Sequence, residues 1–224
     1  MLCTPKCMNM KKFKYMVQVE TEHYALKDEI SFLNVYNQMS DVLSIVRRRR
    51  IENPKILIVG VGDDLLKIIL KEKFGYTIKT FDIDADLKPD FVGSIDEIDT
   101  VILEKFDVIV CAHVLEHLPF EYFAKSLEKM KNISSYSIIY LPIAQFGFRL
   151  KFELFPVFSK SINFLSTWFF KVHKFDGQHY WEIGTKGYPL PFIRRVMRKH
   201  FKIENEYNAK NWMYSYNFVL KSNK

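Results

Sequence analysis

The chain has 224 residues, 48% of them hydrophobic and 26% charged, which suits one α/β domain with its own core and excludes a disordered, charge-dominated chain. A net charge of +7 fits a Lys-rich solvated surface and leaves nucleic acid, anionic lipid and acidic substrates open as partners. Three cysteines, Cys3, Cys7 and Cys111, make no disulfide framework, so a reducing, cytoplasmic setting is expected.

Residues 1 to about 22 lack regular periodicity, and the first dozen lack the apolar stretch of a signal peptide. The longest uncharged aromatic-rich run, Ser161 to Phe170, is half the ~20 residues a membrane span needs. From Ala25 to Arg50, apolar positions Leu26, Ile30, Leu33, Tyr36, Val42, Ile45 and Val46 predict one or two amphipathic helices. Arg47 to Arg50 complement the dipole at their C-terminal end, and Asn53-Pro54 ends the segment. Residues 1–53 therefore read as an N-terminal extension, and 54–224 as the main domain.

Ile56 to Val59 reads as a strand that runs into the turn Gly60-Val61-Gly62, and a helix follows from about Asp64 to Phe74. Thr77 to Phe81 is a second strand ending at Asp82, with a short third strand near Phe91-Val92. Phe106 to Cys111 lacks polar alternation, as a strand buried on both faces does. A helix is expected to open at Leu118-Pro119 and run to about Met130. Ser137 to Leu141 is a fifth strand, a helix spans about Pro191 to His200, and strands lie near Lys202 to Tyr207 and Tyr214 to Leu220. Strands alternating with helices predict a doubly wound, Rossmann-like seven-stranded sheet.

Residues 146–183 form an insertion after the fifth strand. It interleaves Phe146, Phe148, Phe152, Phe155, Phe158, Phe164, Trp168, Phe169, Phe170 and Phe175 with Arg149, Lys151, Lys160, Lys171 and Lys174. Three readings stand open: a lid over an acceptor with a lipid tail, a contact with an anionic membrane surface, and an extra helical layer packed on the domain or on a second subunit. Base stacking on nucleic acid ranks below these, because no separate RNA-binding module is visible.

The glycine turn lets a ligand approach the backbone closely, and Asp82 stands where such folds place an acid for ribose hydroxyls. A nucleoside ligand is therefore expected. Asp63 and Asp64 follow the turn where a dinucleotide site needs a helix end free for pyrophosphate. Two carboxylates would repel that group by a few kcal/mol at intermediate dielectric. The same acids suit a ligand with a sulfonium and an amino group, as in S-adenosylmethionine.

The segment Ile56 to Gly62 resembles the first motif of class I S-adenosylmethionine-dependent methyltransferases. Phe106 to Pro119, with Leu115-Glu116-His117, resembles their fourth-strand motif in the form common to the small-molecule branch. Asp82 matches the ribose-binding acid. The resemblance covers about residues 54 to 145 and implies the class I methyltransferase fold, with S-adenosylmethionine as methyl donor. It places Gly60, Val61 and Gly62 along the methionine part, Asp82 at the ribose and Ile83 beside the adenine. Ser94 and Ile95 occupy the loop after strand three. Ser94 stands where the family usually carries an Asp, and Asp96 two residues on is a substitute. Ala112 and His113 lie at the end of strand four beside the methionine moiety.

On the acceptor side, His179 in Gly177-Gln178-His179-Tyr180-Trp181-Glu182-Ile183 is a candidate for acceptor binding or proton removal, with His117 behind it. Glu116 reads as structural, through backbone N–H groups, and Trp181 and Glu182 as pocket or core. No metal set with short ligand spacing is visible. The expected acceptor is a small molecule or a glycan- or lipid-linked group, methylated on oxygen or nitrogen. An NAD(P)-dependent oxidoreductase and a non-catalytic methyltransferase-like binding module are the alternatives.

Overall fold

The unbroken apolar runs become the centre of a parallel sheet, as burial on both faces requires. The computed structural model describes residues 29–167, 171–209 and 214–223. Cys3, Cys7, Ala25, Leu26 and Trp168 to Phe170 lie outside the described residues. In chain order the elements are helix α1 (Glu29–Arg49), β1 (Lys55–Val59), α2 (Leu65–Phe74), β2 (Thr77–Asp82), β3 (Phe91–Val92), the short helix α3 (Ile98–Val101) and β4 (Phe106–Ala112). Then follow α4 (Phe123–Ile133), β5 (Ser134–Pro142), β6 (Gln145–Leu154), β7 (Phe158–Thr167), α5 (Leu190–Arg198), β8 (Phe201–Asn208) and β9 (Ser215–Ser222).

Seven strands form one sheet in the order β3-β2-β1-β4-β5-β9-β8. Neighbours from β3 to β5 pair in parallel, and β9 runs antiparallel between β5 and β8. The order reverses at β1, which lies between β2 and β4. That crevice, at the carboxyl ends of the strands, is where open α/β sheets bind ligands.

The two-residue period of the strands divides the core into two layers. Leu57, Val59, Ile109, Cys111, Ile139 and Leu141 face Phe123, Leu127 and Met130 of α4 and Ile193, Val196 and Met197 of α5. Ile56, Ile58, Val108, Val110, Ile138 and Tyr140 face Val35, Val42, Ile45 and Val46 of α1 and Leu66 and Leu70 of α2. Helix α1 is thus one of the covering layers. It is also fixed by Asp41, whose Oδ2 accepts from Tyr140 and Tyr207 hydroxyls at 2.7 Å each.

Helix α4 starts later than Leu118-Pro119 suggests. Single 3-10 turns at Leu115–His117 and Phe120–Tyr122 come first. They replace the opening α turn and hold the segment that ends β4 against the sheet.

The extra helical layer considered for the insertion is overturned over residues 145–167. There β6 and β7 form a separate antiparallel hairpin paired from Gln145↔Thr167 to Leu154↔Phe158. The physical reason is in the sequence. Phe146, Phe148, Leu150, Phe152 and Leu154 alternate with other residues at period two, the signature of a strand. Their register partners Phe164, Ile162 and Phe158 share that face, and Phe148 and Phe164 stack at 4.8 Å. The apolar face is open: Phe148, Phe152, Leu154 and Phe158 are each at least half exposed, and Phe155 at the tip is 95% exposed.

Candidate functional site

The site begins at the turn after β1. Gly60 has φ +82°, and a Cβ there would lie 2.7 Å from Val114 Cγ2. Glycine is needed both for the left-handed backbone and to let the segment after β4 close onto the turn. Gly62 has φ +58°, but a Cβ built on it meets nothing within 4 Å among the described residues. The turn therefore opens onto free space at Gly62. Between them, the buried Val61 donates its N–H to Asp82 Oδ2 at 2.8 Å.

Asp82 closes β2 and is buried. Its other oxygen, Oδ1, accepts the Asp84 N–H at 2.9 Å. Burial pushes its carboxyl up, and the backbone bonds from Asp84 and Val61 partly oppose that. A carboxylate oxygen carries more than one lone pair, so each oxygen retains acceptor capacity after its backbone bond.

The two acids after the turn act locally. Asp63 Oδ1 accepts the Leu65 N–H at 3.0 Å, at the start of α2. Asp64 caps α2 in the left-handed region with φ 60° and pairs with Lys67 at 3.2 Å. The N–H group that a phosphate would use is thus already taken by a carboxylate.

Ile83 lies half-buried beside Asp82. The loop after β3 is more closed. Ser94 is buried and its hydroxyl donates to Asp96 Oδ1 at 2.5 Å, while Lys125 reaches Asp96 Oδ2 at 3.0 Å. Burial pushes the Asp96 carboxyl up, but the Ser94 bond and the Lys125 ammonium bring it below the usual carboxylate range. Ile95 points into the core, so only its backbone is left to meet a ligand.

Ala112, at the end of β4, packs against the core layer under α1 and α2. His113 takes the left-handed conformation with φ 55° and bonds Tyr140 O through its N–H at 3.0 Å. Its Nδ1 lies 3.2 Å from Glu116 Oε1 and its Nε2 lies 3.3 Å from Ser215 Oγ.

Glu116 differs from the sequence expectation. It is 0% exposed and meets the His113 ring, not a backbone N–H group, and its Oε2 has no hydrogen-bond partner among the described residues. Burial alone pushes this carboxyl up, but the His113 bond and the neighbouring His117 and His179 rings bring it below its ordinary value.

The structure brings His117 and His179 together. Their rings meet edge to face with centroids 5.2 Å apart. His117 Nδ1 lies 3.1 Å from Gln178 O; a carbonyl only accepts, so this nitrogen carries the proton and donates. His179 Nδ1 lies 3.2 Å from Glu182 Oε1 and is oriented by that carboxylate. Burial lowers the His117 imidazole below its ordinary value. Burial also opposes charge on His179, but the Glu182 and Glu116 carboxylates win and raise it.

Two segments distant in sequence are locked around these rings. Tyr180 N–H donates to Glu116 O at 2.9 Å, and Trp181 Nε1 donates to Leu118 O at 3.1 Å. Trp181 is fully buried among Phe120 and Phe123, so it is core, and it anchors His179 and Glu182. The pairing of Glu182 with His179, three positions apart, was readable as a spacing. The meeting of Glu116 with His179 was not.

The sheet order, with its one antiparallel strand placed next to the last, is the fold of class I S-adenosylmethionine-dependent methyltransferases. Solved structures agree. An S-adenosylmethionine-dependent methyltransferase from Clostridium acetobutylicum matches with TM-score 0.56 at 11% identity, over 84% of this chain and 92% of that one. Magnesium protoporphyrin IX methyltransferase from Synechocystis, with bound S-adenosylmethionine, matches with TM-score 0.54 at 15% identity, over 98% of this chain and 92% of that one. The glycopeptide N-methyltransferase MtfA in complex with S-adenosylmethionine gives 0.53 at 9% identity, over 83% and 94%. No family model and no curated protein matches the sequence. At such identities the likeness defines the fold.

Proposed function

We propose that the chain is an S-adenosylmethionine-dependent methyltransferase acting on an oxygen or nitrogen of a small-molecule, glycan or lipid-linked acceptor. The observation that carries this reading is the bond from Val61 N–H to Asp82, which sets an acidic group beside the open space at Gly62. The residues fit the donor: Gly62 leaves room for its methionine part, Asp82 offers lone pairs to two ribose hydroxyls, and Ile83 offers an apolar side to adenine. Ser94 and the Ile95 backbone border the adenine end, and Ala112 and His113 border the methionine end. The Asp63 bond to Leu65 N–H weighs against the NAD(P) alternative.

Held at Gly62 and Asp82, the donor would supply an electrophilic methyl carbon for an acceptor lone pair. The chain mostly supplies proximity and alignment. His117 and His179 stand on the acceptor side, each ring oriented through Nδ1 by a neighbour, and either imidazole could take the acceptor's proton. The locked contact between residues 116–118 and 178–181 holds both rings in place.

Binding of the donor is tested by thermal shift with S-adenosylmethionine, S-adenosylhomocysteine and NAD in parallel. A ligand of the native state raises its stability by mass action. Stabilisation by the first two supports the reading; stabilisation by NAD alone ends it.

A peripheral membrane contact is part of the proposal, and the hairpin supports it. Its open face carries Phe146, Phe148, Leu150, Phe152 and Leu154, and Lys160, Lys171 and Lys174 are exposed nearby in sequence. Apolar side chains with a basic surround suit an anionic lipid surface or the tail of a lipid-linked acceptor. No described helix is long and apolar enough to cross a membrane.

A further inference from the structure

We propose that Glu116, His117 and His179 bind a first-row divalent transition-metal ion. One candidate ligand atom from each lies within 4.8 Å of the other two. Two imidazoles and one carboxylate suit ions such as Zn2+ or Co2+ and leave coordination positions open.

Three independent features point the same way. Glu116 is wholly buried, yet its Oε2 has no hydrogen-bond partner among the described residues. A buried carboxylate oxygen left unpaired is costly unless a cation compensates it. His117 Nδ1 donates to the Gln178 carbonyl at 3.1 Å, so in the neutral ring the lone pair lies on Nε2. His179 Nδ1 faces Glu182 Oε1 at 3.2 Å, the carboxylate–histidine arrangement that orients a ring for metal binding through its other nitrogen.

A second grouping of Asp176, His179 and Glu182 also brings ligand atoms close, but its acids are already employed. Asp176 Oδ1 accepts the N–H groups of Gln178 at 3.0 Å and His179 at 2.7 Å. Glu182 serves His179. These acids orient the inner site. Ligands ~2.0–2.1 Å from a tetrahedral ion lie closer to one another than 4.8 Å, so small rotamer adjustments complete the set.

The role of the ion rests on the methyltransferase reading, while the site itself does not. An open coordination position would hold an acceptor oxygen and lower the pKa of its hydroxyl, the proton leaving to water. His179 then acts as a ligand, and the acceptor is aligned by the ion.

The test uses the full chain, dialysed against a chelator and titrated with Co2+ while the visible d–d bands are followed. One ion per chain is expected. Glu116→Gln and His179→Ala are expected to weaken binding by at least ~10-fold, and Asp176→Asn, which keeps an oxygen acceptor for the Gln178 and His179 N–H groups, to weaken it by less than that. Should Glu116→Gln fail to fold by circular dichroism, His179→Ala, on a half-buried side chain, carries the test. No bands in the wild type, or an unchanged titration in both folded ligand variants, overturns the proposal. S-adenosylmethionine binding is measured on the same samples. Metal binding without it would sink the methyltransferase reading and leave the metal site standing.

Discussion

The Val61 N–H donates to Asp82 Oδ2 at 2.8 Å, tying the turn after β1 to the last residue of β2. This bond fixes the acid at the mouth of the crevice before any ligand arrives. Asp82→Asn keeps a carbonyl acceptor for Val61 but removes the charge. It is expected to fold and to bind S-adenosylmethionine more weakly by at least ~1 kcal/mol, or about fivefold. Equilibrium dialysis measures this, and unchanged affinity would mean that the ribose lies elsewhere.

Gly60 and Gly62 are expected to separate stability from binding. Gly60→Ala brings a methyl to 2.7 Å from Val114 and strains a left-handed residue. It should lower Tm more than Gly62→Ala, which meets no neighbour among the described residues and bears only the backbone strain of ~1–2 kcal/mol. Gly62→Ala should instead reduce donor affinity, because its methyl fills the open space. Equal losses of Tm in the two variants would contradict this assignment.

Asp41 gives a pH dependence of stability. Burial raises its carboxyl above the ordinary value, and the Tyr207 and Tyr140 hydroxyls and Arg48 oppose this only in part. The folded state therefore holds the proton more tightly than the unfolded chain. Stability from this group falls as pH rises from about 4 through the raised folded value, then levels. Asp41→Asn should remove that component, so urea midpoints of wild type minus variant should decrease over this window. A difference that grows with pH would reverse the sign and refute the account.

Trp181→Phe tests the lock around the imidazoles. It removes the bond to Leu118 O at 3.1 Å in a fully buried place, costing roughly 1–3 kcal/mol for the carbonyl left unpaired. Denaturant unfolding reads this cost. A loss below about 0.5 kcal/mol, the size of an ordinary surface substitution, would show that the indole bond contributes little.

The hairpin is expected to matter for association more than for folding. Replacing Phe148, Phe152 and Phe155 together by Ser removes apolar groups that are 56%, 50% and 95% exposed. Co-sedimentation with anionic vesicles should fall severalfold, with Tm nearly unchanged. Equal sedimentation of wild type and variant would remove the membrane contact from the account.

The centre of the sheet was legible because β1 and β4 are nearly continuous apolar runs, and because β1, β2 and β5 end at Gly60, Asp82 and Pro142. The sequence also marked Asp82 and the 115–117 segment, since both follow strand ends at readable spacing. The hairpin was only partly legible because its aromatic, basic composition suits a helical layer as well as a strand pair, while the period of two from Phe146 to Leu154 decides its structure. The cluster at Glu116 was hidden for a different reason. His179 reaches it only through the fold, by the Tyr180 and Trp181 bonds, and no local pattern records a contact of that range. The buried Asp41–Tyr140–Tyr207 group was likewise beyond local reading, since it joins α1, β5 and β8.

The central claim is tested most directly by calorimetric titration of the full chain with S-adenosylmethionine, repeated with NAD and with Asp82→Asn. The account expects saturable one-to-one binding of S-adenosylmethionine, weakened by the substitution, and no binding of NAD at the same concentrations. Saturable binding of NAD with none of S-adenosylmethionine would contradict it.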